Sequence, residues 1–143
     1  MGFNLEKAVF DGIKEVLDAN AYITANSIPV FDEGDASKDR SAAQVMINAF
    51  SAAPENCQRG PFWAVNVAIT SETYIADDED KADLYKLHSE VMYEICKQAE
   101  SVYTSAIDGF TVTAIIISTP TQQSLDDKYQ QISLEVNFHV TED

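Results

Sequence analysis

Residues 130–141 alternate almost without interruption: Ile132, Leu134, Val136, Phe138 and Val140 fall on one side, and Gln131, Ser133, Glu135, Asn137 and His139 on the other. An extended chain turns successive side chains to opposite faces, so this segment predicts a strand with one face buried. Residues 63–70 repeat the pattern, setting Trp63, Val65, Val67 and Ile69 against Ala64, Asn66, Ala68 and Thr70. Strands apolar on one side need a cover on that side alone. That requirement directs the rest of the chain toward a layered α+β arrangement.

The cover is present in the sequence. Leu5, Val9, Ile13, Val16 and Leu17 recur at helical spacing, with Asn4 placed to cap the first turn and the helix ending near Asn20. Leu84, Leu87, Val91 and Ile95 form a second stripe, widened by Tyr85, His88 and Met92 and fading by Tyr103, before the turn signal Asp108-Gly109. Residues 28–31 read as an edge or entry strand, because Pro29 has no amide hydrogen. Residues 44–50 and the β-branched run 110–118 read as further strands. The segments 32–41, 51–61 and 119–128 read as loops, the last too long for a tight hairpin turn. The expectation is one domain over residues 1–143: a single-layer antiparallel or mixed sheet of four to five strands, with two helices packed on one face.

Composition narrows the function. The 24 acidic side chains against 9 basic ones give a net charge of −15, which repels phosphate and argues against a basic nucleic-acid groove. The longest apolar run, Ala114-Ile115-Ile116-Ile117, is far short of a bilayer span, so no membrane association is expected. The first six residues lack the basic, then apolar, order of a secretory signal. Cys57 and Cys96 lie far apart without a Cys-x-x-Cys spacing, which favours reduced thiols over a zinc knuckle or a disulfide scaffold.

Motifs for catalysis are missing as well. There is no Gly-x-Ser-x-Gly, and Gly2, Gly12, Gly34, Gly60 and Gly109 are scattered singly, so neither a nucleophile elbow nor a phosphate-cradling loop is formed. A thiol nucleophile would have to pair Cys57 or Cys96 with His88 or His139, and Cys96, beside Ile95 on the second helix, is expected to be buried and inert. His88 and His139 stand outside any metal-ligand spacing. The run Asp77-Asp78-Glu79-Asp80 lacks the glycine and terminal glutamate of a calcium loop and fits better as carboxylates facing the free amides of a helix N-terminus. Trp63 is expected in the core, and the helical tyrosines at its rim with their hydroxyls in water. The expectation is a non-enzymatic assembly component with no cofactor and no metal.

The order of elements carries a resemblance. An N-terminal amphipathic helix is followed by Ile28-Pro29-Val30-Phe31-Asp32-Glu33, an extended loop, and paired strands ending in Val65-Asn66-Val67-Ala68-Ile69-Thr70. The Leu84, Leu87, Val91, Ile95 helix and a closing strand, Ile132-Ser133-Leu134-Glu135-Val136-Asn137-Phe138, complete it. This order resembles the tail terminator and tail-completion proteins of long-tailed bacteriophages, which often carry a Pro-Val-Tyr/Phe-Asp-Glu stretch after the first helix. The resemblance implies a virion protein of the tail or neck, assembled in the host cytoplasm. It would form a ring, usually a hexamer, that caps the head-proximal end of the tail tube. Its partners would be copies of itself, the tail-tube protein and the head–tail connector, with genomic DNA passing through the lumen without specific binding. Under this reading the three loops carry the contacts, through Glu33, Asp35, Lys38, Arg40, Arg59, Gln122, Asp126 and Asp127, and some of the carboxylates of Glu33, Asp35, Asp77, Asp78, Glu79, Asp126 and Asp127 face the lumen. Other readings of the same residues are a head-completion adaptor, a tail-tube subunit, or a small α/β ligand-binding module.

Overall fold

The computed structural model describes residues 4–33, 42–55, 60–125 and 128–143. Helix α1 (Leu5–Asp18) starts where its sequence places it, with the Asn4 side chain accepting from the Lys7 amide at 3.1 Å. A short α2 (Ala21–Ala25) follows, in place of the non-helical segment expected there; the Asn20 side chain caps it by accepting from the Ile23 amide at 3.0 Å. Strands β1 (Val30–Asp32), β2 (Ala43–Pro54) and β3 (Phe62–Tyr74) come next. Then come α3 (Ala82–Lys97), α4 (Glu100–Ala106), β4 (Phe110–Ile117), β5 (Thr121–Leu125) and β6 (Tyr129–Glu142).

The strands form one mixed sheet in the order β1-β2-β3-β6-β4, with β5 also paired to β6. Only the β1–β2 pair is parallel. The register of the antiparallel strands sets Ile47, Ile69 and Leu134, or Val67, Val136 and Ile117, side by side on one face. These rows are the core, and α1 and α3 lie over them, with Val9, Ile13, Leu17, Leu87 and Val91 buried against the sheet. The α+β class with helices on one face is therefore the observed one, with six strands among the described residues.

Three boundaries differ from expectation, each for a local reason. Residues 119–128 are not a simple loop. β4 occupies the rim of β6 opposite residues 136–142, and β5 takes up the same rim opposite 129–133. β5 has no apolar alternation because it borders the polar start of β6, with Thr121 opposite Ser133 and Gln123 opposite Gln131. The proposed loop 51–61 likewise begins as strand. β2 resumes its ladder after a bulge between Ala49 and Ser51 and runs to Pro54, opposite Trp63. The second helix is broken at Gln98 and Ala99, both extended, so that α4 leaves the line of α3 and packs on β4 and α1. Tyr103 makes that turn rewarding: it is fully buried, packs edge-on against Phe138 at 5.5 Å, and donates its hydroxyl to the Glu94 carbonyl oxygen at 2.6 Å. Its hydroxyl is thus not in water, and burial pushes its pKa upward, which keeps the donor protonated.

Two polar or steric devices lock the layers. Asp78 is buried, and its carboxylate accepts from the Leu84 amide at 2.7 Å, the Asp83 amide at 3.0 Å and the Thr73 hydroxyl at 3.0 Å. Its carbonyl accepts from the Gln130 side chain at 2.6 Å, so one residue joins β3, β6 and the start of α3. Elsewhere, α1 approaches the α4–β4 junction so closely that a Cβ at Gly12 would lie 2.4 Å from Ile107 Cγ1.

Both devices make stability predictions. Asp78→Ala leaves two helix amides and a buried hydroxyl without their acceptor, and is expected to cost about 2–3 kcal/mol in urea unfolding. Gly12→Ala gains roughly 1 kcal/mol of helix propensity but overpacks Ile107; the expected net loss is about 1–2 kcal/mol, read from the same unfolding midpoints.

Candidate interaction surfaces

The helices occupy one face of the sheet, so the other face and the two rims are what the fold presents. The outer face carries a polar lattice built by cross-strand pairing. Gln44 donates its side-chain amide to Glu72, both fully buried. Thr70 and Ser133 hydroxyls meet at 2.9 Å, and Asn137 donates to Asn66 at 2.5 Å. His139 lies 3.2 Å from the Glu55 carboxylate. Farther out, Phe62 and Ile116 are exposed on this face; Trp63, half-buried, lies on the other face against the rim of the core and donates its indole N–H to Glu142 at 2.7 Å.

The sequence-predicted contact residues are dispersed. Glu33 is exposed just after β1, at one rim of the sheet, and Gln122 is exposed on β5, at the opposite rim. The fold does not bring those two together. Asp35, Lys38, Arg40, Arg59, Asp126 and Asp127 lie outside the described residues. Among the carboxylates expected at a lumen, Asp77 and Glu79 are exposed in the turn before α3, but Asp78 is buried as the helix cap and faces no channel. Asp80 also serves the helix start, accepting from the Ala82 amide at 3.1 Å.

No catalytic pairing assembles around Cys96. The thiol is exposed rather than buried, on the side of α3 turned away from the core. His88 sits eight residues earlier on the same helix, about 12 Å along the axis. His139 lies on the far face of the sheet. Among the described residues no group of three or more His, Cys, Asp or Glu side chains is placed to hold a metal ion. The described residues line open clefts of about 260 Å³ beside Tyr22, Asp83 and Leu87 and of about 370 Å³ beside Lys7, Phe10 and Asp32. No helix among the described residues is long and apolar enough to cross a membrane.

The polar contacts under α3 were not legible as a motif. Glu94 is buried and accepts from Asn20 at 2.9 Å and Gln98 at 2.8 Å, tying α3 to the start of α2. Beside it, hydrogen bonds from Lys86 and Asn20 hold the Glu90 carboxyl below the usual carboxylate range. The nearest sequence signal is Asn20, a residue that by itself marks only the end of α1.

Comparison with known proteins places this arrangement. A chain from the virion of a native gene transfer agent (GTA) particle superposes with a TM-score of 0.63 over 98% of this chain and 99% of that one, at 12% sequence identity. The fold is therefore shared from end to end with a virion component. No protein-family model matches the sequence, and no curated protein matches it either.

His88 supplies the pH prediction. Burial lowers its pKa from the ordinary 6.5, so the folded chain binds a proton there less readily than the unfolded chain does. Its contribution is complete above the unfolded value and is lost as pH falls through it toward the lower folded value. His88→Gln is expected to flatten the unfolding midpoint between roughly pH 5 and 7 relative to wild type.

Proposed function

We propose that this chain is a structural component of a phage-like particle and acts as a tail terminator. Copies would form a ring, six in number, on the head-proximal end of the tail tube, stop its growth and join it to the head connector. The observation that carries this reading is the end-to-end likeness to a chain of the gene transfer agent virion, whose full length the present chain covers.

The physical properties support it. A conduit for DNA works best with a bore that does not bind phosphate, because basic side chains would hold the polyanion through counterion release. A net charge of −15 per copy, on the order of −90 for six, suits such a bore. It also means that copies repel one another and need contacts strong or neutral enough to overcome that repulsion. The sheet has two unlike rims, β1 and β4 with β5, and contact between unlike surfaces is head-to-tail, the kind that closes into rings.

Native mass spectrometry tests the ring: a species of six 15.8 kDa chains is expected, alone or after mixing with tail tubes. Electron microscopy of the mixture should show the protein at one end of each tube. A chain that stays monomeric and binds neither tube ends nor connector would refute the proposal, and binding to connector alone would assign it to the head side of the neck.

A further inference from the structure

The last strand on one side of the sheet is β4, and its outer rim is unprotected. Antiparallel ladders point alternate residues toward the partner strand and the rest away. The Ser118 amide donates to the Glu135 carbonyl at 2.9 Å, so Ile116 and Ala114 also face β6, while the backbone groups of Ile115 and Ile117 point outward. The first half of the rim is closed, since the Val112 amide donates to the Thr104 hydroxyl of α4 at 2.9 Å. The second half has no such cover among the described residues. It is a β-branched strand end with Ile116 57% exposed.

Edges of this kind are normally defended by a charge, a proline or a covering segment, because they invite another strand. Here residues 110–125, the whole of β4 and β5, contain no Asp, Glu, Lys, Arg or His, and the lone proline, Pro120, stands beyond the end of β4. The remaining uncharged strand, β2, is interior to the sheet, and the opposite rim strand, β1, carries Asp32. In a chain of net charge −15, this rim is therefore an open ladder that copies can approach without setting carboxylate against carboxylate.

We infer that residues 114–117 form the self-association edge, where a second copy of this chain adds a strand through the outward amides and carbonyls of Ile115 and Ile117. The inference rests on the ring reading above and names the contact that would hold the ring. It has a distinctive salt response. A contact free of charge between repelling acidic bodies tightens as salt screens the repulsion, whereas a contact built on ion pairs weakens.

The test measures self-association of wild type, Ile116→Glu, Ile117→Pro and a charge-matched control, Tyr93→Glu, whose side chain is exposed on α3. Ile117→Pro removes an outward amide while leaving the β6 ladder intact. If circular dichroism shows it misfolded, Ile116→Glu, altered at a side chain already in water, decides alone. Expected results are association of wild type that tightens from about 50 to about 500 mM NaCl and a dissociation constant raised at least about tenfold in both edge variants but not in the control. Hydrogen exchange at the Ile115 and Ile117 amides should slow by about tenfold or more on assembly. Edge variants that assemble like wild type, amides that stay unprotected, or association that weakens with salt would overturn the inference and leave the ring standing. A wild type that is monomeric at every concentration and on tail tubes would overturn both.

Discussion

Everything in this molecule follows from the segregation of bulky apolar side chains to one face of its sheet. Val45, Ile47, Val65, Val67, Ile69, Leu134, Val136, Phe138 and Val140 are all buried on that face. Burying a side chain of this size is worth roughly 1.5–3 kcal/mol, so the helices have one place to go. The opposite face is left to polar pairs: Asn66 with Asn137, Thr70 with Ser133, and His139 with Glu55. That face is buried where it is polar, at Gln44, Thr70, Glu72 and Gln131, and exposed where it is apolar, at Phe62 and Ile116.

The polar groups inside the fold are placed where layers meet. Asp78 anchors the start of α3 to the ends of two neighbouring strands, and Glu94 anchors the same helix near its end to Asn20 and Gln98. Both carboxylates are buried with their oxygens accepting hydrogen bonds, the condition under which a buried polar group does not destabilise. Tyr103 adds a third tie, from α4 back to α3. These ties position α3 against the sheet while the apolar contacts hold it there.

Much of this is legible in the sequence alone. The helix of Leu5 to Leu17 with its Asn4 cap, the strand faces of residues 63–70 and 130–141, and the carboxylates at the start of α3 each advertise themselves through periodicity or capping chemistry. The misses share one cause. β5 has no apolar pattern since its partner supplies the ladder and little hydrophobic contact, and the last residues of β2 are strand because β3 is opposite them. A break between α3 and α4 cannot be seen in a stripe that continues through Tyr103. It depends on where the Tyr103 hydroxyl finds an acceptor.

The candidate contacts divide the same way. Local pattern determined the class of the fold, the inner and outer faces of its long strands, the negative charge and the lack of nucleophile or phosphate motifs, since all of these are properties of neighbours in the chain or of simple counts. Tertiary structure alone decided that Asp78 is an internal cap and not a surface charge, that Glu33 and Gln122 stand at opposite rims, and that β4 ends the sheet with the backbone amides and carbonyls of Ile115 and Ile117 turned outward. Strand order is settled by long-range pairing, in which a backbone amide bonds equally well to any strand brought beside it, so no local feature of residues 110–117 can announce that one of their two sides will be left open.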